Sequence, residues 1–103
     1  MESRRDESGE IRYYNTCFAI SPSGEIIGKY SKMHLFDADL PGQDKSFESE
    51  FITPGEELCV LDIMGHKWGL TICYDLRFPE IFRRLTRMGA EVITNPSAFN
   101  FFF

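Results

Sequence analysis

GLTICYDLRFPE, residues 69–80, sets an apolar run of strand character directly against a cysteine, a polar turn and a proline. Pro79 suits the first turn of a helix, because its fixed φ is already helical and its missing N–H has no intrahelical partner to lose. The spacing predicts a helix over 79–88, with Ile81, Phe82, Leu85 and Met88 in one apolar stripe. Arg83, Arg84 and Arg87 fall on the wet face toward its C-terminal end, and Gly89 is a natural stop. The short apolar stretch AEVIT at 90–94 then reads as a further buried strand. Strand, helix and strand in that order form a crossover, which implies an α/β sheet.

Working outward, WGLTIC (68–73) is preceded by the turn residues MGHK (64–67) and by ELCVLDI (57–63), an alternating stretch with Leu58, Val60 and Ile63 as inward residues. A second hairpin is expected from NTCFAI (15–20) and EIIGKY (25–30), joined by the turn chemistry of SPSG. Hairpins combined with a crossover require a sheet of mixed strand direction. Between the hairpins, residues 33–57 mix apolar anchors with Pro, Gly and acids and show no period. A connection of that length in a compact domain is usually functional or packed on itself. Residues 1–14 carry charge without periodicity and are expected to form a mobile end, with the domain running over 15–103.

Hydrophobic content of 43% and aromatic content of 15% describe a core-forming chain rather than a disordered one. Eleven basic against sixteen acidic residues give a net charge of −5, which opposes nucleic-acid binding. Cys17, Cys59 and Cys73 contain no C-x-x-C pair, and His34 and His66 lack ligand-like spacing, so no metal site and no cofactor are expected. An odd cysteine count and the charged opening MESRRDESGE suit free thiols in a reducing compartment. Cytoplasmic placement is expected, with the mitochondrion as the alternative. No stretch approaches the roughly 18 apolar residues of a membrane helix, so no membrane partner is expected.

The cysteine at the strand-to-helix corner is the chemically suggestive residue. Such a turn projects its side chain at the sheet edge and leaves backbone N–H groups beside it, as a nucleophile elbow does. A thiol near a helix N-terminus ionises more readily, and the same dipole stabilises an oxyanion. Taken alone, a packed and inert thiol is the ordinary alternative. Lys32, in KYSKMHLFD, could clamp a tetrahedral intermediate or could be a solvated lysine at a hairpin end. His34 reads as a half-buried loop histidine. Spacing does not bring Lys32 and Cys73 together.

YSKMHLFDADLPG, FESEFITPGE, GLTICYDLRFPE and NPSAFN occur in that order, and together they resemble the nitrilase superfamily of carbon–nitrogen hydrolases, in particular its Nit branch. The resemblance covers about Asn15 to Asn100. It implies the central part of an αββα sandwich, incomplete at both ends, and a Glu–Lys–Cys triad supported by a second glutamate. On the matching motifs it implies Cys73 as nucleophile, Lys32 as oxyanion stabiliser, Glu48 as the supporting glutamate and the backbone N–H of Tyr74 as a second oxyanion donor. Asp75 and Arg77 are expected as structural ions locking the elbow.

The general-base glutamate of the family lies well upstream of the lysine, and Glu2, Glu7, Glu10 and Glu25 lack its context. The resemblance implies a small-molecule amide as substrate and a homo-oligomer for the full-length family member. The expected reaction is omega-amidase-like hydrolysis of a small carboxylate-bearing amide, releasing ammonia through a thioester. A deaminated-glutathione amidase is the alternative within the class. Outside it stands a catalytically dead fragment whose exposed sheet and helix serve as an interaction surface. Terminal Phe99, Phe101, Phe102 and Phe103 are expected to add unpartnered apolar surface.

Overall fold

The structure is a computed structural model and describes residues 1–38 and 46–98. The DLPGQDK segment and the terminal phenylalanines lie outside those residues. Nine strands are described: β1 (Glu2–Arg5), β2 (Ile11–Tyr14), β3 (Thr16–Ile20), β4 (Ile26–Ser31), β5 (Asp37–Ala38), β6 (Ser46–Phe47), β7 (Val60–Ile63), β8 (His66–Leu70) and β9 (Val92–Thr94). One α-helix, α1, spans Pro79–Arg87, and 3-10 turns cover Glu48–Glu50 and Cys73–Arg77.

The expected hairpins form. β3 pairs antiparallel with β4, with an irregularity between Ala19 and Ile20. β7 pairs antiparallel with β8 across Met64–Gly65. Both turn residues have positive φ, 53° and 83°, which is the two-residue geometry whose twist suits a hairpin. β8 then pairs in parallel with β9 after the α1 crossover, so the three-stranded sheet is mixed, as the sequence predicts.

Glycines report how the layers stack. A side chain on Gly69 would meet Leu85 and Ala90 at 3.2–3.4 Å, so this face of β8 lies under α1. On the opposite face, a Cβ on Gly28 of β4 would lie 3.0 Å from Leu61 and 3.6 Å from Cys59 of the β7 side. The order is therefore helix, sheet, sheet, three successive layers of an αββα sandwich. Ile81 and Leu85 of α1, with Leu70, Ile72 and Tyr30, make the buried cluster. Burial of each large apolar side chain contributes roughly 1.5–3 kcal/mol.

Three expectations are corrected. Residues 1–14, read as charge without periodicity at a mobile end, hold the β1–β2 hairpin, with Glu2 opposite Tyr14 and Arg5 opposite Ile11. Its signal is polar rather than apolar. Asp6 Oδ1 accepts from the N–H groups of Ser8 and Glu10 and from the Ser8 hydroxyl, so one carboxylate shapes the turn. The Ser8 and Arg12 side-chain bonds lead in lowering the Asp6 carboxyl to about 2. Second, Met88 does not join the buried stripe: it is the C-cap, 47% exposed, and Gly89 ends the helix at φ 100°. Third, β9 is only partly covered, with Val92 38% exposed.

Candidate functional site

β8 and β9 run in parallel, and both deliver the chain to the same edge, the usual place for a site in an α/β sheet. Beyond Leu70 the backbone is extended at Ile72, then turns sharply at Cys73, where φ is 43°. A non-glycine residue in the left-handed region costs roughly 1–3 kcal/mol and persists only where its surroundings hold it. Here they do. The Cys73 N–H donates to the Pro96 carbonyl at 2.9 Å, and the Thr71 N–H and hydroxyl both donate to the Thr94 carbonyl. Asn95 Nδ2 donates to Thr71 Oγ1 at 2.8 Å and reaches the Cys73 carbonyl at 3.4 Å. The NPS segment after β9 thus cradles the elbow. Tyr74 is the second residue of the 3-10 turn, where an N–H has no acceptor within its own helix.

Lys32 follows β4 directly and is fixed on both sides of its backbone. Its N–H donates to the Asn15 carbonyl at 2.8 Å, and its carbonyl accepts from the Gly55 N–H at 2.9 Å. Gly55 passes so close that a Cβ there would sit 2.2 Å from the Ser31 carbonyl oxygen, so only glycine fits. Lys32 is 3% exposed, and its ammonium donates to Glu48 Oε1 at 2.7 Å. The same oxygen accepts from the Phe36 N–H at 2.8 Å, and Oε2 accepts from Asn15 Nδ2 at 3.2 Å. Burial pushes the Glu48 carboxyl upward, but the bonds from Lys32, Phe36 and Asn15 and the lysine charge outweigh it. The carboxyl is held below its ordinary range.

Asp75 is completely buried and uses both oxygens twice. Oδ2 accepts from the Tyr30 hydroxyl (2.7 Å) and the Ile72 N–H (2.9 Å). Oδ1 accepts from the His34 N–H (3.2 Å) and pairs with His34 Nδ1 (2.7 Å). A carboxylate only accepts, so Nδ1 carries the proton there. Burial, reinforced by Asp75, pushes the Tyr30 hydroxyl strongly upward and keeps it a neutral donor.

Cys73, Lys32 and Glu48 line one cleft of about 1190 Å³. Phe36, Phe47, Phe51, Ile72 and Tyr74 form much of its apolar wall, and the rings of Tyr74 and Phe36 pack edge to face. Arg77 also lines this cleft, although the sequence suggested only a locking role for it. Spacing alone missed Asn15, Tyr30 and Asn95, since each acts through a partner at least 22 residues away. NPS was visible as a motif but carried no role. Among the described residues no cluster of three or more His, Cys, Asp or Glu could hold a metal ion. No described helix is long and apolar enough to cross a membrane.

A cysteine on a strained elbow shares one cleft with a buried lysine–glutamate pair beside a mixed sheet. The sequence profile of the carbon-nitrogen hydrolases matches residues 1–101, and the chain belongs to that family. That match takes in the β1–β2 hairpin. The chain is 48% identical over 87 residues to the deaminated glutathione amidase of Dictyostelium discoideum, covering 84% of this chain and 30% of that protein. It is 40% identical over 95 residues to an omega-amidase of Xenopus laevis, covering 92% and 34% respectively. The crystal structure of Saccharomyces cerevisiae Nit3, of branch 10 of the nitrilase superfamily, superposes with a TM-score of 0.72 at 38% identity, over 93% of this chain and 31% of that one. The chain thus spans about a third of the length of the relatives it matches, and its α/β layers are a fragment of the nitrilase fold.

Proposed function

We propose that this cleft hydrolyses a small amide bearing a carboxylate, with Cys73 as nucleophile. The Cys73 sulfur would add to the amide carbonyl, and the oxyanion would be met by the Lys32 ammonium and the Tyr74 N–H. Collapse breaks the C–N bond, the amine leaves as ammonia with the thiol proton, and water then hydrolyses the thioester to acid and free thiol. The observation that carries this reading is the left-handed Cys73 corner sharing a cleft with the Lys32–Glu48 pair. The omega-amidase relative favours a short dicarboxylate monoamide. A deaminated-glutathione-type amide is the second reading, favoured by the 48% identical relative and by a cleft roomy enough for a peptide-like group.

We also read this chain alone as short of a general base. Glu48 is the sole carboxylate among the described cleft-lining residues, and it is committed to Lys32 with a lowered affinity for protons. Ammonia release from 2-oxoglutaramate and from deaminated glutathione tests both statements. We expect background turnover from the chain alone, but acylation of Cys73, visible by mass, with a reactive ester of the preferred acid. Acylation at Cys17 or Cys59 instead would refute the nucleophile assignment. Multiple turnover abolished by Glu48→Gln would make Glu48 the base and refute the second statement.

A further inference from the structure

Asp75 lies two residues after Cys73, and Tyr30 and His34 lie two residues on either side of Lys32. Three of the four hydrogen bonds to the Asp75 carboxylate come from that lysine segment: the Tyr30 hydroxyl, the His34 N–H and the His34 ring. The fourth comes from Ile72, on the cysteine side. The Tyr30 hydroxyl also accepts from the Met33 N–H at 3.0 Å, closing the lysine segment on itself. The His34 ring stacks on Phe78 with centroids 3.9 Å apart and planes 8° from parallel, so the same segment is tied to the exit of the elbow as well. Neither Asp75 nor His34 lines the cleft. They have no access to a substrate held there, and whatever they contribute to chemistry passes through their neighbours.

We propose that Asp75 and His34 are positioning residues: their node joins both flanks of Lys32 to the Cys73 turn and sets the lysine ammonium against the sulfur. This rests on the reading of Cys73 and Lys32 as the reacting pair. The physical basis is that a fully satisfied buried carboxylate fixes all its donors at once, so one residue sets the relation between two chain segments. A displacement of about 1 Å in a reacting group can cost on the order of a hundredfold in rate.

The test is the rate of Cys73 alkylation by iodoacetamide in the 103-residue chain, followed by peptide mass mapping. His34 is the residue to change, because it is half-buried and its replacement leaves the buried Asp75 in place. Lys32→Met should slow Cys73 about tenfold, since the ammonium that shares its cleft helps hold the charge developing at the reacting atoms. His34→Ala should slow it by a similar factor while Cys17 and Cys59 react as before. His34→Asn, whose amide places a donor where Nδ1 stood, should recover most of the rate. In a Lys32→Met background, His34→Ala should add nothing, because the lysine through which it acts is gone. Equal slowing by His34→Ala in both backgrounds, or a wild-type rate in the single variant, would overturn the proposal and leave the lysine assignment standing. An unchanged rate in Lys32→Met would overturn both.

Discussion

Glu48→Ala is the perturbation whose size the structure allows to be worked out. The substitution removes the acceptor of three hydrogen bonds, from Lys32 Nζ, the Phe36 N–H and Asn15 Nδ2. Its main cost is the Lys32 ammonium, whose side chain is only 4% exposed and which loses its counter-charge. Breaking a buried pair from one side typically costs about 3–5 kcal/mol. The Glu48 side chain is 18% exposed, so water softens the loss toward the low end, about 3 kcal/mol. The bond lost at Phe36 adds about 1 kcal/mol. Glu48→Gln keeps a neutral acceptor and should cost about 1–2 kcal/mol. The assay is urea unfolding at neutral pH, where a slope of about 1–3 kcal/mol per molar turns these losses into midpoint shifts of the order of a molar or more.

Two controls sharpen this test. Lys32→Met in the Glu48→Ala chain removes the orphaned charge and should return much of the stability. Because folding lowers the Glu48 carboxyl, its contribution is fully present above the unfolded glutamate pKa and is lost as pH falls through the folded value. The gap between wild type and Glu48→Ala should therefore narrow below about pH 4. A double variant no more stable than Glu48→Ala alone, together with a gap that ignores pH, would refute the electrostatic account.

Iodoacetamide should label Cys73 ahead of Cys17 and Cys59, since burial pushes both of those thiols upward; equal labelling of all three in folded protein would count against an activated elbow. Gly55→Ala should destabilise by about 1–3 kcal/mol, the usual cost of overpacking, because its Cβ would meet the Ser31 backbone. An unchanged unfolding midpoint would show that the loop simply moves aside. Phe18, Ile20 and Ile27 of β3 and β4 stand 38%, 62% and 44% exposed, and sedimentation should show self-association. Ile20→Lys with Ile27→Lys should reduce it, and an unaltered profile would place the contact elsewhere.

Local signals carried the sequence reading a long way. The Met64–Gly65 turn, Pro79 at the start of α1 and Gly89 at its end are each set by the backbone preferences of one or two residues. The order of strands around α1 follows from periods of two and 3.6, which neighbouring residues alone establish. The β1–β2 hairpin escaped because the alternation of β1 is polar: Glu2 and Arg4 are the half-buried residues of that strand, and a charged strand leaves no hydrophobic period to read. Cys73 stood out because the turn around it is local, whereas its strained φ needed the Pro96 carbonyl to hold it. Lys32 was visible as one of two alternatives but was joined to Cys73 only by the family resemblance, and Glu48 became a candidate only through it.

What tertiary structure alone decided is which side chains meet. Lys32 and Glu48 pair across 16 residues, Asn15 reaches Glu48 across 33, and Tyr30 reaches Asp75 across 45. No period or turn rule encodes such a contact. Each depends on how the β3–β4 layer seats on the β7–β8–β9 sheet, and that is settled by the collective burial of Tyr30, Leu70, Ile72, Ile81 and Leu85. Burial is non-directional and summed over the whole core, so a sequence names the residues that will be inside long before it says which polar groups will find one another there.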